Sequence, residues 1–100
     1  MNINRLLKKW EKELGPMTFG STLKNFRECD EVSLEKYAKK LGISKGSLHD
    51  LETGKRIPTP KRVAQIAKTL GYSEKCLIEL ALRDSLKNNG LKYNVKLESA

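Results

Sequence analysis

Apolar residues recur three or four positions apart along most of the chain, the spacing that places them on one face of an α-helix. The first such stripe has five members: Ile3, Leu6, Leu7, Trp10 and Leu14. Charged residues occupy the other faces, and Gly15-Pro16 end the pattern. We therefore predict an amphipathic helix over residues 4–14 that packs on the rest of the protein through Trp10. A helix that binds a partner or a second copy is the alternative.

Five further helices are predicted by the same spacing together with helix-capping residues. They cover about residues 18–28, 34–41, 45–52, 60–70 and 74–88. A hydroxyl residue stands at the start of each, where its oxygen can accept a hydrogen bond from a backbone N–H of the first turn. These predicted caps are Thr18, Ser33, Ser44, Thr59 and Ser73.

The pattern changes to period two near the C-terminus. Four apolar residues alternate there with polar ones: Leu91, Tyr93, Val95 and Leu97. This alternation predicts a half-buried β-strand over residues 91–98. No other segment predicts a strand, so its backbone groups would need a partner from outside the chain. We expect the four residues to form a dimer interface by pairing with a second copy across a two-fold axis, and a frayed tail is the alternative.

Length and charge restrict the interpretation further. One hundred residues are enough for one domain. The chain has 20 Lys and Arg against 12 Asp and Glu, a net charge of +8 that favours a polyanionic partner. No apolar run approaches the roughly 18 residues that cross a bilayer, and the N-terminus lacks the apolar region of a signal peptide. We expect a cytoplasmic protein with no membrane partner.

The residues that carry catalytic or metal chemistry are sparse. Cys29 and Cys76 lie far apart in the chain, so we expect no disulfide and two small buried side chains. One histidine and two scattered cysteines do not supply a tetrahedral zinc site. Phosphate-binding and nucleophile motifs of the GxxxxGK[ST] and GxSxG kinds are also missing. We therefore expect no enzymatic activity, no metal and no cofactor.

Residues 33–58 have the organisation of a helix-turn-helix. Ala38 is small enough for a second helix to cross the first closely, and Gly42 permits the positive φ of a tight turn. Leu48 and Leu51 would hold the second helix on the core. Its outward residues are short or polar, which suits entry into a major groove. They are Lys45, Gly46, Ser47, His49 and Asp50.

The stretch from Phe19 to about Leu70 resembles the lambda-repressor-like helix-turn-helix family, also described as Cro/CI or XRE. The matching motifs are Ser33-Leu34-Glu35-Lys36-Tyr37-Ala38, Leu41-Gly42-Ile43-Ser44 and Leu51-Glu52-Thr53-Gly54-Lys55-Arg56. The resemblance implies an all-α fold, a five-helix bundle to which this chain adds an N-terminal helix and a C-terminal strand. The expected divisions are an N-terminal helix in 1–16, a DNA-binding domain in 17–88 and a strand or tail in 89–100.

The resemblance also implies roles for individual residues. Residues 34–41 would be the supporting helix and residues 45–52 the recognition helix. The residues expected to contact bases are Lys45, Gly46, His49 and Asp50. Those expected to contact phosphates are Ser44, Ser47, Thr53, Lys55 and Arg56. The charge pattern agrees, because five basic and no acidic residues lie between Thr53 and Ser73. Glu52 would have a structural role, bonding a backbone group or an arginine.

These observations predict a regulator that binds specific sequences of double-stranded DNA, as a homodimeric repressor. The first alternative is an antitoxin that represses its own operon and also binds a toxin protein. Its toxin-binding element would be the helix around Trp10 or the strand over residues 91–97. The second is a module that kept the fold without DNA binding, because Leu34 and Gly46 depart from the family pattern. Leu34 stands where the family often has a glutamine that reaches a phosphate.

Overall fold

The computed structural model describes residues 3–100, so the first two residues of the predicted N-terminal segment lie outside the described part of the chain. Within residues 3–100 the chain forms six α-helices and no strand. In chain order they are α1 (Ile3–Leu14), α2 (Phe19–Cys29), α3 (Leu34–Leu41), α4 (Lys45–Thr53), α5 (Pro60–Leu70) and α6 (Glu74–Asn88). The prediction of an all-α fold is confirmed for these residues, and the predicted helix ends are within one residue of the observed ones.

The helices begin where their capping residues stand. Each predicted cap accepts a hydrogen bond from the backbone N–H three residues later, as seen for Thr18, Ser33, Ser44, Thr59 and Ser73. Such a bond satisfies an N–H that the first helical turn leaves unpaired and contributes about 1 kcal/mol. Thr18 and Ser21 bond each other reciprocally, which completes a capping box at the start of α2.

The core is one cluster of buried apolar side chains from all six helices. Its aromatic centre is Phe26, whose ring stacks on Tyr72 at a centroid distance of 4.0 Å. Trp10 is buried against the same ring at 5.6 Å. The prediction that α1 docks on the core through Trp10 is therefore confirmed. No helix in residues 3–100 combines the length and the apolar character needed to cross a membrane.

The C-terminal segment corrects the prediction of a strand. Gly90 adopts a φ of +74° after α6, and the chain reverses there. Residues 91–100 then return along α6 without regular secondary structure. The Leu97 N–H donates to Oε1 of Glu79 at 2.9 Å. The predicted strand is wrong because a side chain of α6, and not a neighbouring strand, satisfies this backbone donor.

Burial follows the alternation that suggested the strand only in the second half of the segment. Val95 and Leu97 are half-buried, whereas Leu91 and Tyr93 are 46% and 67% exposed. Val95 borders a groove that also involves Leu7 of α1. Only the second half of the alternating segment therefore packs against the rest of the protein. The use of these residues in dimerisation stays a prediction.

The two cysteines differ in exposure. Cys76 is half-buried within α6, but Cys29 is exposed. The prediction that both are buried is wrong for Cys29, because it lies in the last turn of α2 and faces solvent beyond the buried Phe26. Neither cysteine forms a disulfide bond.

Candidate nucleic-acid interface

The turn between α3 and α4 is built around Gly42. This residue has a φ of +70°, and its N–H donates to the carbonyls of Ala38 and Lys39. The following N–H, of Ile43, also bonds the Ala38 carbonyl, at 3.0 Å. These bonds satisfy carbonyls at the end of α3 and reverse the chain, so that α4 can begin at Lys45. The local chemistry thus produces the predicted helix-turn-helix.

One side of α4 is fixed on the bundle. Leu48 is fully buried and Leu51 is 5% exposed, and both belong to the hydrophobic core. Burying a leucine side chain stabilises the fold by about 1.5–3 kcal/mol. The orientation of α4 is thereby set by packing on α2 and α3. Its opposite side is left to solvent.

The predicted base-contacting residues separate into two groups. Lys45, Gly46 and His49 are exposed, and His49 follows Lys45 by four positions and Gly46 by three, so we call these three residues the exposed face of α4. Asp50 is half-buried, and its carbonyl accepts the N–H of Arg56 at 3.1 Å. The structure therefore brings three of the four predicted residues to one open surface, with Asp50 at its edge.

The two serines predicted to contact phosphates have local partners. The Ser44 hydroxyl accepts the Ser47 N–H at 3.0 Å and donates to the Ser47 hydroxyl at 2.8 Å. Ser44 is exposed and Ser47 is half-buried. Their primary effect is to fix the first turn of α4, and this leaves the Ser47 hydroxyl hydrogen available to an acceptor outside the protein.

The remaining predicted phosphate contacts follow α4 directly. Thr53, Lys55 and Arg56 are all exposed. In the described part of the chain, neither Lys55 nor Arg56 forms an ion pair with a carboxylate. Both cations are thus available to an anion beside the exposed face of α4. A surface cavity of about 270 Å³ next to this loop is lined by Arg56 and by the exposed Arg62 of α5.

A buried ion pair joins α4 to α2. The Arg27 guanidinium donates to both carboxylate oxygens of Glu52, at 2.8 and 3.1 Å, and to the Val32 carbonyl at 3.0 Å. The Glu52 side chain is only 4% exposed. The hydrogen bond that Arg27 donates to Glu52 raises the pKa of Arg27 above its ordinary value, so the guanidinium stays charged. This confirms the prediction that Glu52 is structural and bonds an arginine.

Two residues behind the interface were missed by the sequence interpretation. Gly20, in the first turn of α2, faces the backbone of Leu51 and Glu52 so closely that a Cβ would collide with it. A glycine within a predicted helix is a signal for such a close approach. Asp84 of α6 accepts the Phe19 N–H at 2.7 Å. No local pattern indicates this bond, because it links residues far apart in the sequence.

The comparisons with known proteins agree with this geometry. The family model described as Helix-turn-helix matches residues 23–75, more than half of the chain. The match includes α3, α4 and the basic loop that follows them. The comparison with curated proteins finds no match. The matched region and its structure confirm the resemblance to the Cro/CI proteins. The chain belongs to the Cro/CI (XRE-type) helix-turn-helix family and is a DNA-binding transcriptional regulator of this type.

Proposed function

We propose that the protein is a sequence-specific repressor that places α4 in the major groove of double-stranded DNA. The observation that carries the proposal is the exposed face of α4 beside two cations without ion-pair partners in the described residues, Lys55 and Arg56. Short or polar residues suit entry of the helix into the groove, and the adjacent cations meet the phosphates that border it. When it is bound in this way across a promoter, the protein blocks access of the transcription machinery to that promoter.

Lys45 and Asp50 divide the base contacts in our proposal. Lys45 suits the O6 and N7 acceptors of guanine, and the Asp50 carboxylate suits the amino group of cytosine. His49 reaches the groove one turn after Lys45. Gly46 contributes close approach instead of a side-chain contact. With so few base contacts, part of the specificity comes from the shape and deformability of the DNA.

The repressor acts as a homodimer in this proposal. A two-fold axis places the two copies of α4 in successive major grooves, about 34 Å apart, on a palindromic site. Exposed apolar side chains outside the matched region support pairing: Leu91 and Tyr93 are 46% and 67% exposed. An isolated helix-turn-helix unit reads few base pairs, so a second copy increases both affinity and specificity.

An antitoxin is the second candidate. Leu14, at the end of α1, is 64% exposed, and like Tyr93 it lies outside the residues matched by the family model. Exposed apolar residues on both terminal additions favour a protein partner there, and a toxin is a partner that this class of regulator takes. Co-expression with the product of an adjacent gene tests it. A stoichiometric complex that Tyr93→Ser weakens supports the antitoxin, and independent elution of the two proteins counts against it.

Salt dependence tests the DNA-binding role of the loop after α4. Lys55→Ala and Arg56→Ala are expected to weaken binding to all duplexes. Each should also reduce the slope of log affinity against log salt by about one unit per phosphate contact removed. Lys9→Ala is the matched control, because Lys9 is an exposed cation on α1. Unchanged slopes in both loop variants would reject the phosphate-contact assignment.

A further inference from the structure

Gly20 lies where the first turn of α2 meets the last turn of α4. A Cβ at Gly20 would be 2.8 Å from the Glu52 carbonyl oxygen and closer still to that of Leu51. Real Cβ atoms do not approach backbone oxygens to this distance. Neither oxygen can rotate away, because both belong to helical backbone. The observed separation of α2 and α4 therefore requires glycine at this position.

The second glycine within the described helices gives a useful comparison. A Cβ at Gly46, in α4, would meet no atom within 4 Å. Glycine in the interior of a helix destabilises the helix, because glycine loses more backbone conformational entropy on folding than any other residue. At Gly20 this loss of conformational entropy is offset by the close packing of α2 on α4.

The first turn of α2 is itself fixed from the other side by α6. The Phe19 N–H donates to the Asp84 carboxylate at 2.7 Å, and the Arg83 guanidinium donates to the Met17 carbonyl. Two turns further along α2, Arg27 bonds Glu52. Thus α6 fixes the start of α2, and α2 contacts the last turn of α4 at two separate points.

We propose that Gly20 is a positioning residue of the DNA interface, which sets how closely α4 lies against α2 and therefore how its exposed face is presented. The inference rests on the proposed function. A methyl group at Gly20 displaces the last turn of α4 by about 1 Å before normal van der Waals distances return. Base hydrogen bonds depend on both distance and angle and weaken with such a shift, whereas the charge attraction of Lys55 and Arg56 to phosphates tolerates it.

Gly20→Ala separates positioning from stability when specific and non-specific binding are both measured. The probes are a duplex that the full chain selects from a random-sequence pool and an unrelated duplex of equal length. We expect the ratio of the two affinities to fall about tenfold or more, the loss of one base contact, at a temperature where the variant is folded. Val63→Ala is the control, because it removes buried volume from α5 and leaves both Gly20 and the hydrogen bonds between Arg27 and Glu52 unaltered. It should leave the ratio unchanged.

An unchanged ratio in folded Gly20→Ala, or an equal fall in Val63→Ala, overturns the inference. If Gly20→Ala does not fold, two variants of Asp84 provide the test instead. Asp84→Ala removes the acceptor of the Phe19 N–H and should lower the ratio of specific to non-specific affinity. Asp84→Asn should preserve this ratio. Equal ratios in the two variants would overturn the inference.

If the unaltered chain binds neither duplex, the proposed function fails. The NMR chemical shifts of the α4 backbone amides then provide the test of positioning. They should change in Gly20→Ala and not in Val63→Ala. Unchanged shifts in Gly20→Ala would refute the positioning role.

Discussion

Lys45 is the only charged residue among the three that form the exposed face of α4. Gly46 beside it has no side chain, so Lys45 contributes most of the hydrogen-bonding capacity at the start of the helix. Its ammonium group makes no ion pair within residues 3–100. A cation at this position can bond the acceptors that guanine presents in the major groove. Specificity at one base pair should therefore depend on this residue.

Lys45→Ala should cost ~1–3 kcal/mol of binding free energy on the preferred duplex and relax the preference at one base pair. The reason is that a direct base contact discriminates between bases, whereas a phosphate contact does not. Affinities for duplexes that carry each single substitution across the site provide the measurement. A loss that is equal for every duplex would make Lys45 a phosphate contact. Lys9→Ala, on α1, should have no effect on the base preference.

At the scale of the elements, α2 links α6 to α4. Its start depends on Asp84 and its contact with α4 depends on Gly20 and Arg27. Asp84 is half-buried, and its burial raises the pKa of the carboxyl group. The Phe19 N–H, Arg83 and Lys87 act in the opposite direction without cancelling that effect. The ionised form therefore fixes α2 at some cost in desolvation.

This raised pKa predicts a pH dependence that Asp84→Asn should remove. The folded state binds a proton more readily than the unfolded state, so the contribution of Asp84 to stability falls as the pH rises from 3.8 through the raised value. The asparagine variant does not ionise and so does not lose stability in this pH range, but it keeps an oxygen that can accept a hydrogen bond from the Phe19 N–H. Its free energy of unfolding relative to the unaltered chain should rise across that window and then level off. Denaturant titrations at several pH values would contradict this if the difference stayed constant or fell.

Local signals account for what was predictable about these elements. The caps Ser33 and Ser44 and the turn glycine Gly42 act on neighbouring backbone groups, so their effect is encoded within a few residues. The bond of Asp84 to α2 depends on tertiary packing and has no such code. The failed strand has a related cause, because the alternation of apolar and polar residues does not specify which backbone groups are paired. The exposed face of α4 was predictable because the positions of its buried leucines determine it.

The whole molecule combines a DNA-binding unit with two terminal additions. The family model spans residues 23–75, and α1 and residues 91–100 lie outside it. Trp10 packs α1 on the core, while Leu91 and Tyr93 remain exposed on the other addition. The surplus of positive charge suits DNA, and the exposed apolar side chains suit a protein surface. We therefore propose that assembly and DNA binding use different parts of the chain.

Removal of residues 91–100 should convert the proposed dimer into a monomer, because it deletes Leu91 and Tyr93. Sedimentation velocity of the full chain and the truncated chain measures the change. The double variant Leu91→Ser, Tyr93→Ser is the matched control for loss of fold, since both side chains are exposed. It should also be monomeric. A dimer that persists in both would move the interface to α6 or α1, and a monomeric full chain would contradict the dimer.

Selection of duplexes from a random-sequence pool by the full chain tests the central claim most directly. Sequencing of the bound DNA reports specificity and half-site spacing together. We predict an enriched palindromic site whose halves are about one helical turn apart, roughly 34 Å, with its preference at one base pair relaxed by Lys45→Ala. Bound sequences indistinguishable from the starting pool would contradict sequence-specific DNA binding by this protein.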